Sequence, residues 1–212
     1  MNGGEAALME LMRTIAGGDA AATKKALAAM PLLAGAAIEE GATRRKAKPY
    51  FLDEIAHYVY GGDTALHVAA AAHQHAIARL LLTAGADVRA RNRRGAEPLH
   101  YAADGRPGSP TWDPRAQAAT IARLIAAGAD PNAVDLTGVT PLHRAVRTRA
   151  AAAVAALLAG GADARKKNAR GSTPRKLAEW TTGRSGSGSP EAKEQQQEIL
   201  ALFGAKRARR RS

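Results

Sequence analysis

Four of the six histidines lie close together in the segment HYVYGGDTALHVAAAAHQH, residues 57–75, which also contains Asp63. They are His57, His67, His73 and His75. Imidazole and carboxylate groups at this spacing could bind a metal ion or exchange protons in catalysis. The choice depends on the rest of the chain, because a side chain that recurs with a repeat has the same structural role in every copy.

The segment around the second of these histidines does recur. DTALHVAA begins at Asp63, AEPLHYAA at Ala96, VTPLHRAV at Val139 and STPRKLAE at Ser172. The second residues of these copies are separated by 33, 43 and 33 positions, and the first three copies are each followed by an apolar run and a Gly-Ala-Asp triplet. Self-similarity of this period predicts stacked units that bury one shared core.

Each unit predicts a pair of helices. A threonine before the first helix suits the N-cap, proline suits the first turn, where no N–H donor is needed, and glycine suits the end of the second helix. The motif leucine is expected to point into the stack. These structural positions are Thr64, Leu66, His67, Gly85, Pro98, Leu99, His100, Gly128, Thr140, Pro141, Leu142, His143 and Gly161.

Extra residues in the second and fourth units fall between their two helices, at 104–117 (DGRPGSPTWDPRAQ) and 181–190 (TTGRSGSGSP). We expect both to be loops, because glycine and proline disfavour helix. Trp112 in the first insertion has two open interpretations. It is either an exposed anchor for a partner or a cover for the neighbouring repeat.

The unit resembles the ankyrin repeat, whose period is about 33 residues and whose core reads Thr-Pro-Leu-His-x-Ala. TPLH at 140–143 matches fully, and TALH at 64–67 and EPLH at 97–100 each differ at one position. The resemblance implies an all-α solenoid of about four to five helix–turn–helix units with hairpin tips and degenerate terminal caps. The Ala- and Arg-rich composition is compatible with a bacterial ankyrin protein.

The same resemblance divides the chain into three parts. Residues 1–48 form a degenerate capping repeat and a charged linker, and residues 205–212 form a basic disordered tail. Ankyrin repeats cover 49–204, with units near 58–90, 91–133, 134–166 and 167–204.

The resemblance also implies a structural role for the three motif histidines, which hydrogen-bond around the turn and the neighbouring loop. Stacked copies lie on the order of 10 Å apart, so they cannot share one metal ion. His73 and His75 fall at the turn between two helices, where solvated turn residues are favoured over a weak metal pair, and His57 is expected to pack. The sequence contains no nucleotide-binding, esterase or metalloprotease motif, so we expect no enzyme activity, cofactor or metal.

The formal charge is +12, and +7 without the five cations of the last seven residues. The resemblance implies that macromolecules bind to the hairpin tips and to exposed positions of the first helices, where basic groups recur in this chain. The candidate partner-binding residues are Arg91, Arg93, Arg94, Tyr101, Trp112, Arg144, Arg147, Lys166, Lys167 and Arg170. We expect a protein partner with an acidic surface; the alternative is nucleic acid bound by the basic rim and the Arg-rich tail.

Two features are absent from the sequence. The chain has no cysteine, which favours a reducing compartment and a cytoplasmic location. It also has no apolar run long enough to span a bilayer, so we expect no membrane span. A monomer is the expected state.

Overall fold

The computed structural model describes residues 3–180 and 190–208 of the chain. Within these ranges ten α-helices form five consecutive pairs, which confirms the predicted all-α solenoid. The pairs are α1 (Gly3–Ala16) with α2 (Ala20–Ala29), α3 (Ala65–Ala71) with α4 (His75–Thr83), α5 (Pro98–Ala102) with α6 (Pro114–Ala126), α7 (Pro141–Arg147) with α8 (Ala151–Ala159), and α9 (Pro174–Trp180) with α10 (Pro190–Ala208).

The pairs stack in two rows. The first helices α1, α3, α5, α7 and α9 each pack on the next first helix, and the second helices α2, α4, α6, α8 and α10 do the same. Leu66, Leu99 and Leu142 are fully buried between the rows, as the repeat motif predicts. Since α1 and α2 pack on α3 and α4, the N-terminal region contributes a fifth helix pair at the end of the stack.

A long connection joins α2 to α3. It contains 3₁₀ helices at Pro31–Ala34, Lys48–Tyr50 and Asp53–Ile55, and a short antiparallel pair of strands, β1 (Phe51–Leu52) and β2 (His57–Tyr58). Residues 35–62, here called the lead-in segment, are tied to the first unit by Ile38 N–H donating to Asp63 O at 2.8 Å. The sequence indicated only a charged linker in part of this region, and the hairpin of β1 and β2 was not predicted.

Hairpin tips connect one unit to the next. We define the first tip as residues 89–95, the second as 133–138 and the third as 164–171. Backbone N–H groups of the tips donate to carbonyl oxygens of the tip or segment before them: Arg93 to Gly61 (2.8 Å), Leu136 to Arg94 (3.0 Å) and Ala169 to Thr137 (3.0 Å). The tips therefore form a continuous edge along the stack.

The three predicted capping glycines end α4, α6 and α8. Gly85, Gly128 and Gly161 have φ values of 92°, 101° and 97°. The N–H after each glycine donates to a carbonyl five residues earlier, as in Ala129 to Leu124 at 3.0 Å. This left-handed C-terminal cap satisfies backbone carbonyls that the helix leaves unpaired, and glycine takes it without a Cβ penalty.

Two predicted boundaries are corrected. The loop expected at 104–117 ends earlier, because Asp113 accepts the N–H groups of Arg115 and Ala116 and Pro114 occupies the first turn, so proline starts α6 rather than preventing it. Residues 205–208, expected in a disordered tail at 205–212, belong instead to α10, which continues to Ala208. Residues 209–212 and the insertion residues 181–189 lie outside the described ranges. Among the described helices, none is both long and apolar enough to span a membrane.

Candidate functional site

The three motif histidines bind the units together. The ring Nδ1 accepts the N–H of the N-cap residue three positions earlier, at 3.1 Å in His67, 3.1 Å in His100 and 3.2 Å in His143. The ring Nε2 lies 3.1, 3.1 and 3.0 Å from the carbonyl oxygens of Ala96, Val139 and Ser172 in the following unit. Because Nδ1 accepts, the proton is on Nε2, which donates across the unit boundary.

Burial of these rings keeps them neutral. It lowers the pKa of His67 and His143, and burial with the nearby charge of Arg144 lowers the pKa of His100 to about 4. A protonated ring would lose its Nδ1 acceptor and the N-cap bond. These contacts are the ones that the structural interpretation of the motif histidines predicts.

A groove lies between the hairpin tips and the first helices. Its volume is about 580 Å³. Its lining includes Tyr60 and His57 of the lead-in segment and part of α7. Its charged lining residues are Arg93, Arg94, Asp104, Asp135, Arg144 and Arg147. Four of the predicted partner-binding cations therefore meet in one groove, with two carboxylates that sequence reasoning did not assign to it.

Arg144 is an internal ion-pair centre rather than an open cation. Its side chain is 13% exposed, with Nη1 at 3.0 Å from Asp104 Oδ2 and Nη2 at 3.5 Å from Asp135 Oδ2. The guanidinium also lies 5.7 Å from the centre of the Tyr101 ring. Burial tends to raise the pKa of Asp135, but hydrogen bonds from Thr137 and Val139, together with Arg144, lower it overall. Arg144 therefore holds the groove wall together, although it was predicted to bind a partner.

Tyr101 is likewise buried, which corrects its predicted exposure. Its hydroxyl donates to Asp63 Oδ2 at 3.0 Å and accepts from Asn92 Nδ2 at 2.9 Å, and the same amide donates to Asp63 Oδ1 at 2.8 Å. Burial and the charge of Asp63 raise the pKa of Tyr101, so the hydroxyl stays protonated and can donate. The ring forms part of the groove wall, while its polar group belongs to the core.

The two arginines of the first tip both lie over Tyr60. The guanidinium carbons of Arg94 and Arg93 are 3.9 and 5.3 Å from the centre of its ring. Arg93 also donates to the carbonyl oxygens of Ala42 and Glu40 in the lead-in segment. It therefore fastens this segment to the tip, whereas for the Arg94 guanidinium the described residues show only the contact with the Tyr60 ring.

Other basic tip residues bridge units. Arg91 Nη2 donates to Val134 O at 2.5 Å and Lys166 Nζ to Asn132 O at 2.7 Å, although both were predicted to bind a partner. Lys167 and Arg170 are exposed on the third tip and do not line the groove. The basic tips thus divide into cations that join neighbouring units and cations that face away from them.

Trp112 packs on the stack. Its Nε1 donates to Oε1 of Gln117 at 2.9 Å, and the buried Gln117 amide donates to Ala102 O at 2.9 Å. The half-buried ring packs against the hydrophobic core. These contacts favour the covering interpretation over the anchor.

The remaining histidines do not form a metal site. His73 has the left-handed φ of 54°, and its Nε2 lies 3.2 Å from Asp104 O, so it is a bonded turn residue. His57 packs edge-on against Tyr101, with ring centres 5.0 Å apart. His75 is exposed at the start of α4. Across residues 3–180 and 190–208, no cluster of three potential metal ligands is found.

Two buried polar atoms in the groove wall have no hydrogen-bond partner among the described residues, His57 Nε2 and Arg144 Nε. Buried polar atoms are usually paired, so their coincidence at one groove marks it as a candidate site. Asp135 was missed, although the register of the repeat could have indicated it. It lies 43 positions after Asn92 and 33 before Asn168, the same spacings that separate the repeat motifs. No such signal pointed to Asp104 or Tyr60.

The fold and its repeating histidine contacts define a class of helical repeat proteins that act as interaction modules. The family model described as ankyrin repeats (3 copies) matches residues 20–109. The one described as ankyrin repeats (many copies) matches residues 124–178. The chain belongs to the ankyrin repeat family, whose members are generally non-catalytic protein-binding modules. A search of curated proteins found no significant match.

Proposed function

We propose that the chain is a non-catalytic module that binds an acidic segment of another protein in the groove between the tips and the first helices. The observation that supports this most directly is the set of four arginines lining one groove against two carboxylates. Their excess positive charge favours an anionic occupant. One chain supplies the whole groove, which supports a monomer as the binding unit.

The rival occupant is nucleic acid. Single-stranded nucleic acid binds to aromatic platforms, which stack on its bases, and to cations along its backbone. In the groove, the Tyr60 ring lies under Arg94 and the Tyr101 hydroxyl is committed to the core. Both rings are therefore poorly placed to stack on bases, so the protein partner is favoured.

A capture experiment tests the proposal. The immobilised full chain is compared with a groove variant, Arg94→Glu with Arg147→Glu, and a matched control, Lys167→Glu with Arg170→Glu, which reverses equal charge outside the groove. We expect proteins with acidic segments to be retained by the wild type and the control after nuclease treatment, and released by the groove variant. Retention that disappears with nuclease, or that the groove variant leaves unchanged, contradicts the proposal.

A further inference from the structure

The four arginines of the groove are not equivalent. Arg93 donates to backbone carbonyls of the lead-in segment, and Arg144 is held by two carboxylates. In the described part of the chain, the Arg94 guanidinium makes no hydrogen bond or ion pair and only lies over the Tyr60 ring. Arg147 is 61% exposed and has a single ion pair, 3.9 Å from Asp104. Arg94 and Arg147 are therefore the groove cations with open donors.

An exposed apolar side chain lies beside the first of these cations. Leu136 is 74% exposed, lines the groove, and donates its backbone N–H to the carbonyl of Arg94 at 3.0 Å. Isolated exposed leucines are ordinary, but a large one at the rim of a charged groove gives an occupant apolar surface to cover. The groove thus offers an apolar contact as well as two open cations.

We propose, building on the proposed function, that the bound partner segment is extended and carries two carboxylates on either side of an apolar side chain. One carboxylate pairs with Arg94, the other pairs with Arg147, and the apolar side chain covers Leu136. Arg94 and Arg147 determine specificity. Arg93 and Arg144 are positioning residues, because their donors already hold the groove walls together.

We scale the spacing of the two carboxylates to α7, because its Arg144 and Arg147 line the groove. At 1.5 Å per residue the helix rises about 9 Å from Pro141, beside the second tip, to Arg147. An extended chain covers about 3.3 Å per residue, so carboxylates about three residues apart span this distance. A bidentate pair with each guanidinium then aligns the segment with α7.

Asp104 competes with the partner for Arg147. Its Oδ1 lies 3.9 Å from Arg147 Nη2, and its Oδ2 lies 3.0 Å from Arg144 Nη1. A partner carboxylate must displace the weaker of these two interactions. Asp104 therefore lowers the affinity for a segment with a single carboxylate. Segments that supply both carboxylates are the ones that bind. Replacing Asp104 by asparagine keeps an oxygen that can accept from Arg144, removes the competing charge and should strengthen binding.

The test uses the full chain and a fluorescein-labelled peptide containing Asp-Ala-Leu-Asp, with fluorescence anisotropy as the readout. We expect Arg94→Gln and Arg147→Gln each to raise Kd about tenfold, as expected for one lost charge-assisted pair. Arg147→Lys should recover part of the loss, and Leu136→Ala should raise Kd about threefold. Asp104→Asn should lower Kd about threefold, and Lys167→Gln, outside the groove, should leave it unchanged.

Several outcomes overturn this inference. They are no peptide binding by the wild type, equal binding of peptides with adjacent aspartates or with alanine in place of leucine, or weaker binding by Asp104→Asn. If these occur while the groove variant still loses its protein partners, the segment chemistry is wrong and the proposed function stands. If the groove variant retains its partners, the proposed function fails as well.

Discussion

Acid should destabilise the stack through His100, whose ring joins the second and third units. Its Nδ1 accepts from Glu97 and its Nε2 donates to Val139, so the bound ring is neutral. Burial and the Arg144 charge lower its pKa to about 4 from the ordinary 6.5. The unfolded chain therefore takes up a proton at higher pH than the folded chain. This stability is present above about pH 6.5 and is lost as the pH falls toward about 4.

The magnitude follows from the two pKa values of His100. Each pH unit between 6.5 and about 4 corresponds to about 1.4 kcal/mol of unfolding free energy, or about 3 kcal/mol over the whole window. About 2 kcal/mol of this is lost by pH 5. Burial lowers the pKa of His67 and His143 too, so their contributions have the same sign.

Urea unfolding followed by circular dichroism at pH 7 and pH 5 measures this loss. The variants are His100→Gln, which removes the titrating ring and keeps an amide donor, and the exposed control His75→Gln. We expect His100→Gln to be less stable at pH 7 and to lose about 2 kcal/mol less than the wild type or the control on going to pH 5. An equal loss in all three proteins would refute the assignment to His100.

Three further predictions concern stability at pH 7, each measured as the change in unfolding free energy in urea. Gly128→Ala should destabilise by about 1 kcal/mol, because its φ of 101° is strained for alanine although no atom lies within 4 Å of the added Cβ. Leu99→Ala should cost about 2–5 kcal/mol by leaving a cavity in the shared core. Asn92→Ala should cost about 1–3 kcal/mol, since both acceptors of its amide are buried; a variant as stable as the wild type would show that the network adds nothing.

The repeat register predicted the helix pairs because each motif position has the same local task in every unit. Thr140 before α7, Leu142 in the core and Gly161 after α8 follow from backbone and packing requirements that short sequence patterns express directly. The lead-in hairpin was not predicted. Strands β1 and β2 are two residues each, and β1 lies between two 3₁₀ helices, so no period-2 pattern could develop.

Side-chain partners in the groove were predicted less well than the fold. The sequence placed Tyr101 and Arg144 on a first helix and indicated exposure, which the stack does not bear out. The Tyr101 hydroxyl is bonded to Asp63, just before α3, and to Asn92 of the first tip. These contacts join residues 38 and 9 positions apart, and the repeat pattern carries no information about them.

Net charge is therefore a poor measure of the cations that a partner can reach. Arg144 contributes to the formal +12, yet Asp104 and Asp135 compensate its charge. Arg91 also contributes, yet it donates to a backbone carbonyl of the next unit. Paired charges in the low-dielectric wall of the groove have a structural role, because removing one partner leaves the other charge uncompensated. Only a cation without such a partner gains by meeting a foreign carboxylate. Arg94, and Arg147 with its single long contact to Asp104, come nearest to this criterion, and they are the cations that we propose for recognition.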